Sequence, residues 1–293
     1  MTIPLALLAV IGNPATPATS AYEVAELNWR ASREAALKRP RGWLAVSALS
    51  WLKEGKNTFG SDPTSDVVFP SRAAGRVGIL NRIGDAVSLI PSENVTGIRV
   101  GKATISAETI LNTDQNGSAD RVTVGDLTFS VIKRGSRLGV RLWDPQATAR
   151  RTFTGLNWFP VDPKLRVEAT FAPYDPPRRI TILNIIGDRE SNVSPGYVTF
   201  SLGGMTHRLE AQDGGNGELF INFIDKTTGK ATYPAGRFLD TPAPKDGKVV
   251  IDFNRAYNPP CAFTAYATCP LPPAANRLSV PVPAGEKKYR DKH

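Results

Sequence analysis

Short apolar segments of alternating pattern, separated by turn sequences, recur through most of this 293-residue chain and constrain its fold more than any other feature. In residues 198–202, for example, the apolar side chains fall on one face of an extended segment. Turn sequences such as Ser-Asp-Pro at 61–63 and Val-Gly-Asp at 124–126 lie between such segments. This spacing favours antiparallel β-sandwich or barrel units over any α/β arrangement.

One long helix is predicted, over residues 22–39, because apolar and charged residues follow a helical period there until Pro40. The fold is therefore expected to be mainly β, with this N-terminal helix, two packed antiparallel sandwich or barrel units and a C-terminal proline-rich ribbon. The expected divisions are a signal peptide (1–21), an N-terminal helical segment (22–52), a first β-sandwich (53–150) and a second β domain with the ribbon (151–293).

The first 21 residues carry no charge and contain an apolar run at 3–11, followed by small residues up to Ala21. This pattern is typical of a signal peptide, and the run is too short to span a bilayer. We expect export to the periplasm or the extracellular space, cleavage near Ala21, and no transmembrane segment. A frayed apolar N-terminus of a cytosolic protein is the alternative.

The chain has a formal net charge of +9, with 36 Lys and Arg against 27 Asp and Glu. Its basic residues are mostly dispersed, and neither a basic helix nor an aromatic RNA-binding motif is present. The charge therefore predicts attraction to anionic partners rather than to nucleic acid.

The segment 252–273 concentrates two charges, two amides, four aromatic residues, five prolines and both cysteines of the chain. Clustered proline excludes a regular strand, so an ordered, irregular ribbon is expected. Arginine forks beside amides and tyrosines suit a carboxylate or phosphate ligand, although the same groups suit an internal hydrogen-bond network. The candidate ligand-binding residues are Arg237, Asp252, Asn254, Arg255, Tyr257, Asn258, Arg277 and Glu286, with Tyr266 as a further aromatic wall.

Cys261 and Cys269 are too far apart for a CxxC motif, and two cysteines are too few for a zinc site. In an oxidising compartment they predict a disulfide. A nucleophilic thiolate at Cys261 is the alternative, but the only histidines are His207 and His293. The same scarcity of histidine disfavours a serine triad and most metal sites, so no metal, cofactor or catalytic residue is assigned.

A second candidate cluster comprises Arg134, Arg137, Arg141 and Asp144. If Arg134 or Arg137 points into a groove between the two β regions, it would add positive potential beside the ribbon. Clefts between domains are favoured ligand sites.

Several short sequence motifs resemble those of a known family. They include Ala-Gly-Arg-Phe-Leu at 235–239, Asp-Phe-Asn-Arg-Ala-Tyr-Asn-Pro-Pro-Cys at 252–261 and Thr-Cys-Pro-Leu-Pro-Pro at 268–273. These motifs resemble those of the bacterial DUF1684 family, whose members are uncharacterised. The resemblance therefore implies homology but does not imply a biochemical mechanism.

The first β region also resembles a forkhead-associated domain, through Phe-Gly-Ser-Asp at 59–62 and Asp-Val-Val-Phe-Pro at 66–70. Such domains bind phosphothreonine through an arginine and a histidine. This chain has Ser61 and Ala74 at those positions, so phosphopeptide binding is not expected and the likeness reflects a shared sandwich.

Three functions remain open from the sequence. The first is an exported protein that binds a small anionic or polar molecule through the candidate residues. The second is a hydrolase in which Asp252 or Glu286 acts as general base. The third is a structural envelope protein. An open pocket lined by arginines would favour binding, a deep pocket with a raised carboxylate pKa would favour the enzyme, and a ribbon packed without a cavity would favour structure.

Overall fold

The computed structural model describes residues 20–289, with the side chain of Asn116 left out. Of the predicted signal peptide only Ser20 and Ala21 fall within the described residues; the rest lies outside them. The fold is mainly β, with one long N-terminal helix, several antiparallel sheets and an irregular C-terminal ribbon, which confirms the predicted class. Among the described residues, no helix combines the length and the apolar character needed to cross a membrane.

Helix α1 (Ala21–Leu37) matches the predicted helix closely. Ser20 caps it: its Oγ accepts the N–H of Glu23, and the Glu23 carboxylate accepts the N–H of Ser20. This reciprocal capping box satisfies backbone donors that a helix start leaves free. The face that α1 buries is partly charged, since Glu26 and Arg30 are buried together with Leu37, so the helix attaches through polar contacts as well as apolar ones.

The first β unit contains eleven strands and is followed by the short helix α2 (Thr148–Arg151). The strands are β1 (Val46–Trp51), β2 (Gly55–Gly60), β3 (Val67–Val68), β4 (Gly78–Ile83), β5 (Ala86–Pro91), β6 (Arg99–Val100), β7 (Ala103–Thr104), β8 (Thr109–Leu111), β9 (Val122–Val124), β10 (Leu127–Arg134) and β11 (Arg137–Trp143). Strand β1 pairs with β11, so the first sheet begins at Val46, ahead of the expected boundary at 53.

Two sheets of the first unit pack face to face. One has the order β1-β11-β10-β9-β6-β7 and the other β3-β2-β4-β5-β8. Phe59 and Phe69 from one side and Phe129 from the other lie in mutual ring contact, with centroids 5.5–5.7 Å apart. The shared core is a sandwich interior, as the alternating pattern predicts.

The second β unit is one six-stranded sheet with the order β16-β15-β14-β13-β12-β17. Its strands are β12 (Arg166–Leu183), β13 (Arg189–Leu202), β14 (Met205–Gly215), β15 (Glu218–Phe223), β16 (Arg237–Thr241) and β17 (Lys248–Asp252). The apolar face is covered by the ribbon instead of a second sheet, because Phe253, Leu278 and Val282 complete the core.

The ribbon, residues 253–289, contains only two short 3₁₀ turns, Phe253–Arg255 and Pro260–Ala262. It touches both β units. The Thr264 hydroxyl donates to the carbonyl of Val46, and the backbones of Tyr257 and Phe238 exchange two hydrogen bonds. The ribbon is therefore an ordered element that joins the first unit, the second unit and α1.

Candidate functional site

Two adjoining cavities of about 510 and 340 Å³ form a groove where α1, the edge strand β16 and the ribbon meet. Both cavities are lined by Trp29, Asp240 and Tyr257. We call this the aromatic groove and define it by its five aromatic residues and its central carboxylate, namely Trp29, Trp43, Phe220, Phe238, Tyr257 and Asp240. Its size is in the range of small-molecule sites.

Strand alternation places the acidic and aromatic side chains together. Phe238 and Asp240 are two residues apart on β16 and share one face, and Phe220 lies opposite Asp240 on β15. The Phe220 and Phe238 rings meet edge to face, 4.9 Å apart. Tyr257 covers the free edge of β16 through its backbone bonds to Phe238, which brings its ring into the groove.

Asp240 is the central polar group of the groove. It is open to solvent along the groove, and the Tyr257 hydroxyl donates to its Oδ2 at 2.9 Å. Desolvation by the surrounding walls raises the pKa of Asp240, while the hydrogen bond from Tyr257 acts in the opposite direction. Burial also raises the pKa of Tyr257, so its hydroxyl stays a donor at neutral pH. A ligand can thus reach a carboxylate that water solvates only in part.

The two arginines of the groove are already paired with buried glutamates. Arg33 Nε lies 2.9 Å from Glu286, and Arg255 lies 2.8 Å from Glu26; both glutamate side chains are 0% exposed. Each arginine thus has a carboxylate partner, although the Arg33 charge also acts to lower the pKa of Asp240. Asp240 and Glu218 line the groove without an ion pair in the region that the structure describes. The groove therefore carries excess negative charge on a protein that is basic as a whole.

The structure brings Arg255 and Tyr257 from the predicted ligand set to this groove, and places the others elsewhere. Arg237 is 1% exposed and donates to Asp225 at 2.6 Å, to the carbonyl of Val282 at 2.9 Å and to that of Ala284. These contacts hold the ribbon against β16. No ligand can reach the Arg237 fork without opening the core.

Asp252 and Asn254 form an internal network with the start of α1. The Tyr22 hydroxyl donates to Asp252 at 2.8 and 3.0 Å, and Asn254, which is fully buried, bridges Tyr22 and the backbone of Asp162. Burial is the largest cause that raises the pKa of Tyr22, with the Asp252 hydrogen bond second. These residues dock α1 onto the second unit.

Asn258 and Glu286 are also buried within the ribbon. Glu286 accepts hydrogen bonds from Arg33 and from the backbone N–H of Asn258, each at 2.9 Å. Desolvation raises the pKa of Glu286, and the Arg33 charge opposes that rise. Arg277 lies apart from these residues and lines a separate cavity of about 440 Å³ beside Pro272. Tyr266 is exposed and does not line the groove.

The second arginine cluster joins the two β units instead of opening onto a ligand site. Arg134 bonds Asp114 and the ribbon hydroxyl of Thr268, each at 2.8 Å, and Arg137 pairs with Asp188 at 2.5 Å. Arg141 is buried, and desolvation lowers its pKa to about 10. Asp144 belongs to a different contact, an ion pair with Arg72.

Cys261 and Cys269 are free, buried thiols, which differs from the predicted disulfide. They are neighbours nonetheless, since the N–H of Cys261 donates to the sulfur of Cys269 at 3.1 Å. The hydrogen bond between the thiols, and then burial, raise the pKa of Cys269. No described group of three or more His, Cys, Asp or Glu side chains is placed to hold a metal ion.

Sequence reasoning missed most of the aromatic groove. Trp29, Trp43, Phe220, Phe238 and Asp240 lie in four separate parts of the chain, and none is unusual locally. The alternation of Phe238 and Asp240 on one strand was the available signal. It could not show that α1 and the ribbon would cover that strand.

The fold and site define a mainly antiparallel β protein in which an irregular C-terminal ribbon, the helix α1 and a sheet edge together form an acidic, aromatic groove. Residues 151–287 match the model of a family described as "Protein of unknown function (DUF1684)", and the chain belongs to this family. The matched segment contains the second β unit and the ribbon up to residue 287, where the motifs of the resemblance are concentrated.

Among solved structures, the chain is similar to the solution NMR structure of an uncharacterized protein of Haloarcula marismortui. The two are 36% identical, with a TM-score of 0.40, over 47% of this chain and 78% of that chain. No curated protein matches the chain.

Proposed function

We propose that this chain is a binding protein whose aromatic groove takes a small amine: a protonated nitrogen attached to a flat apolar body. One observation carries the proposal. Asp240 is a reachable carboxylate among five aromatic side chains, and the Tyr257 hydroxyl is its hydrogen-bond partner within the described residues. A protonated amine supplies the donor and the charge that this carboxylate lacks.

The charge balance supports a cation over an anion. Arginines would favour an anionic ligand only if their charge were free, and Arg33 and Arg255 are each neutralised by a buried glutamate. The earlier expectation of an anionic ligand depended on free arginines. With Asp240 and Glu218 free of ion pairs within the described residues, the groove attracts positive charge.

The aromatic walls support the same class of ligand. Aromatic faces attract cations. Arg33 already occupies one face of Tyr257 at 4.6 Å and Arg141 one face of Trp43 at 5.1 Å, so the remaining aromatic surface is what a ligand can use. The rings also offer apolar area for a flat ligand body. The groove therefore offers a carboxylate to the amine of the ligand and aromatic surface to its flat apolar body.

A matched pair of probes tests this proposal on the purified chain. 2-Phenylethylamine and 2-phenylethanol have the same body and differ in the charged nitrogen. Isothermal titration calorimetry is expected to show the amine binding at least tenfold more tightly than the alcohol. Equal affinity for both, or no binding of either, would refute the proposal.

The hydrolase alternative has no comparable support. Its two candidate bases, Asp252 and Glu286, do not line the aromatic groove, and Glu286 is fully buried. The alternative of a structural protein agrees with the dense bonding of the ribbon, but it gives no reason for an open groove with an unpaired carboxylate.

Export remains part of the proposal, and it yields a test at the mature N-terminus. Cleavage after Thr19 would keep the Ser20 cap of α1, whereas cleavage after Ala21 would remove it at a cost of about 1 kcal/mol. We expect N-terminal sequencing of the secreted or periplasmic protein to find a new N-terminus near Ala21, and its position decides whether the Ser20 cap is kept. Recovery of the protein solely in the cytosol, with Met1 retained, would contradict export.

In an exported protein, Cys261 and Cys269 are expected to form a disulfide. A thiol oxidase bearing its own disulfide would accept two electrons and two protons as the two sulfurs bond. The closed loop of nine residues would stabilise the fold by about 2.5 kcal/mol on the chain-entropy model. Mass spectrometry of the exported protein should show a loss of about two hydrogen masses against the reduced form. An unchanged mass, with both thiols open to alkylation after unfolding, would contradict it.

A further inference from the structure

A second cavity, of about 590 Å³, lies on the first β unit and has the opposite charge to the aromatic groove. Its lining consists of Arg39, Pro40, Arg41, Arg121 and Thr128. We call it the arginine cavity. None of its residues lines the aromatic groove, so an inference about it does not depend on the proposed function.

A tight backbone turn carries two of the three arginines. Arg39 and Arg41 flank Pro40 in the turn that follows α1, and the N–H of Gly42 closes this turn on the carbonyl of Arg39 at 2.8 Å. A Cβ at Gly42 would lie 2.2 Å from the carbonyl oxygen of Leu37, so only glycine permits the chain to fold back so closely. Arg121 directly precedes β9 and Thr128 lies on β10, opposite Thr123.

The positive charge of the cavity is not balanced by the protein. Within residues 20–289, the side chains of Arg39, Arg41 and Arg121 have no ion pair and no hydrogen bond. Of the nearby carboxylates, Asp126 and Asp144 are both bound by Arg72, and Asp120, which directly precedes Arg121, accepts hydrogen bonds from Asn112. Three solvent-exposed arginines therefore line one cavity, and none of them has an ion pair within the described residues, so the cavity attracts anions.

Thr128 adds a directional group to the cavity. The residue is only 8% exposed, yet its hydroxyl makes no hydrogen bond with any part of the described chain. As a lining residue of the cavity, Thr128 thus has a hydroxyl free to donate to an oxyanion there.

We propose that the arginine cavity binds a phosphate or sulfate ester. Arginine forks match the tetrahedral oxygens of these groups and bond them in pairs. A carboxylate would satisfy one fork, whereas three arginines and a hydroxyl match an anion with several oxygens and more than one negative charge. The volume has room for an organic group attached to the anion.

Titration of the full-length chain with pyrophosphate, an anion with the required oxygens, tests the site by calorimetry at low ionic strength. The double variant Arg41→Gln/Arg121→Gln is expected to bind at least tenfold more weakly than the wild type. Arg189→Gln is the control, because Arg189 is an exposed arginine of the second β unit without a described ion pair. It should bind as the wild type does.

Vesicles distinguish the two sources of such an anion. If the site takes phospholipid headgroups, the chain should sediment with phosphatidylglycerol vesicles but not with phosphatidylcholine vesicles, and the double variant should lose this binding. If it takes soluble esters, pyrophosphate should bind while neither vesicle does. Equal weakening by Arg189→Gln and by the double variant would reduce the effect to net charge and overturn the proposal, as would failure of both pyrophosphate and vesicles to bind.

Discussion

Replacing Asp240 with asparagine is expected to weaken the binding of 2-phenylethylamine by about ten- to a hundredfold while leaving the weak binding of 2-phenylethanol unchanged. A hydrogen bond to a charged partner contributes about 1.5–3 kcal/mol, and about 1.4 kcal/mol corresponds to a tenfold change in affinity. Asparagine keeps the shape of the side chain and still accepts the Tyr257 hydroxyl. Calorimetry of both probes against both proteins measures the effect.

The control for this variant is Glu93→Gln, which removes one exposed negative charge in the first β unit, away from the groove. It should leave the affinity for the amine unchanged. If Glu93→Gln weakens binding as much as Asp240→Asn does, the amine responds to the overall charge of the protein and the groove is not its site.

The same carboxylate predicts a dependence on pH. Only the ionised form of Asp240 attracts an amine, and an amine with a pKa of about 10 stays protonated throughout the acidic range. Affinity should therefore be full above the pKa of Asp240 and should fall as the pH drops through it. Because burial raises this pKa from the ordinary value of 3.8, the loss should begin at a higher pH than an exposed aspartate would give. In Asp240→Asn the affinity should not change over this range.

Replacing Arg237 with leucine is expected to lower the free energy of unfolding by about 3–5 kcal/mol. The change leaves Asp225, whose side chain is 0% exposed, as a buried charge without its partner, and it frees two ribbon carbonyls. Urea unfolding followed by tryptophan fluorescence measures the loss. An Arg237→Leu protein with unchanged stability would contradict the assignment of this residue to the core.

Two further variants separate the ion pair from the loss of an arginine. Arg277→Leu removes an exposed arginine and should change stability by less than about 0.5 kcal/mol. The double variant Arg237→Leu/Asp225→Leu should recover part of the loss, because it removes the isolated charge. Recovery should be incomplete, since Asp225 also accepts the backbone N–H groups of Thr227 and Val282.

The composition of the ribbon predicted its order but not the role of its polar residues. Four of these polar residues lie within seven positions of one another, which suggested a single binding surface: Asp252, Asn254, Arg255 and Asn258. In the structure the side chains of Asn254 and Asn258 point into the protein, where they satisfy backbone groups that proline-rich segments leave free. Arg255 pairs with Glu26 of α1. The direction of each side chain depends on what covers the ribbon, which local sequence does not encode.

Local periodicity by itself determined the β class, the extent of α1 and the division into many short strands, because these follow from which faces of each segment must be buried. The family resemblance could also be recognised from the sequence, since it consists of contiguous motifs. The aromatic groove and the arginine cavity were decided only by the tertiary structure. Trp29 and Asp240, for example, are 211 positions apart in the sequence. Whether a charged side chain in a groove stays without an ion pair depends on which other charged side chains already have partners. Those pairings form only when the helix, the sheet edge and the ribbon pack together.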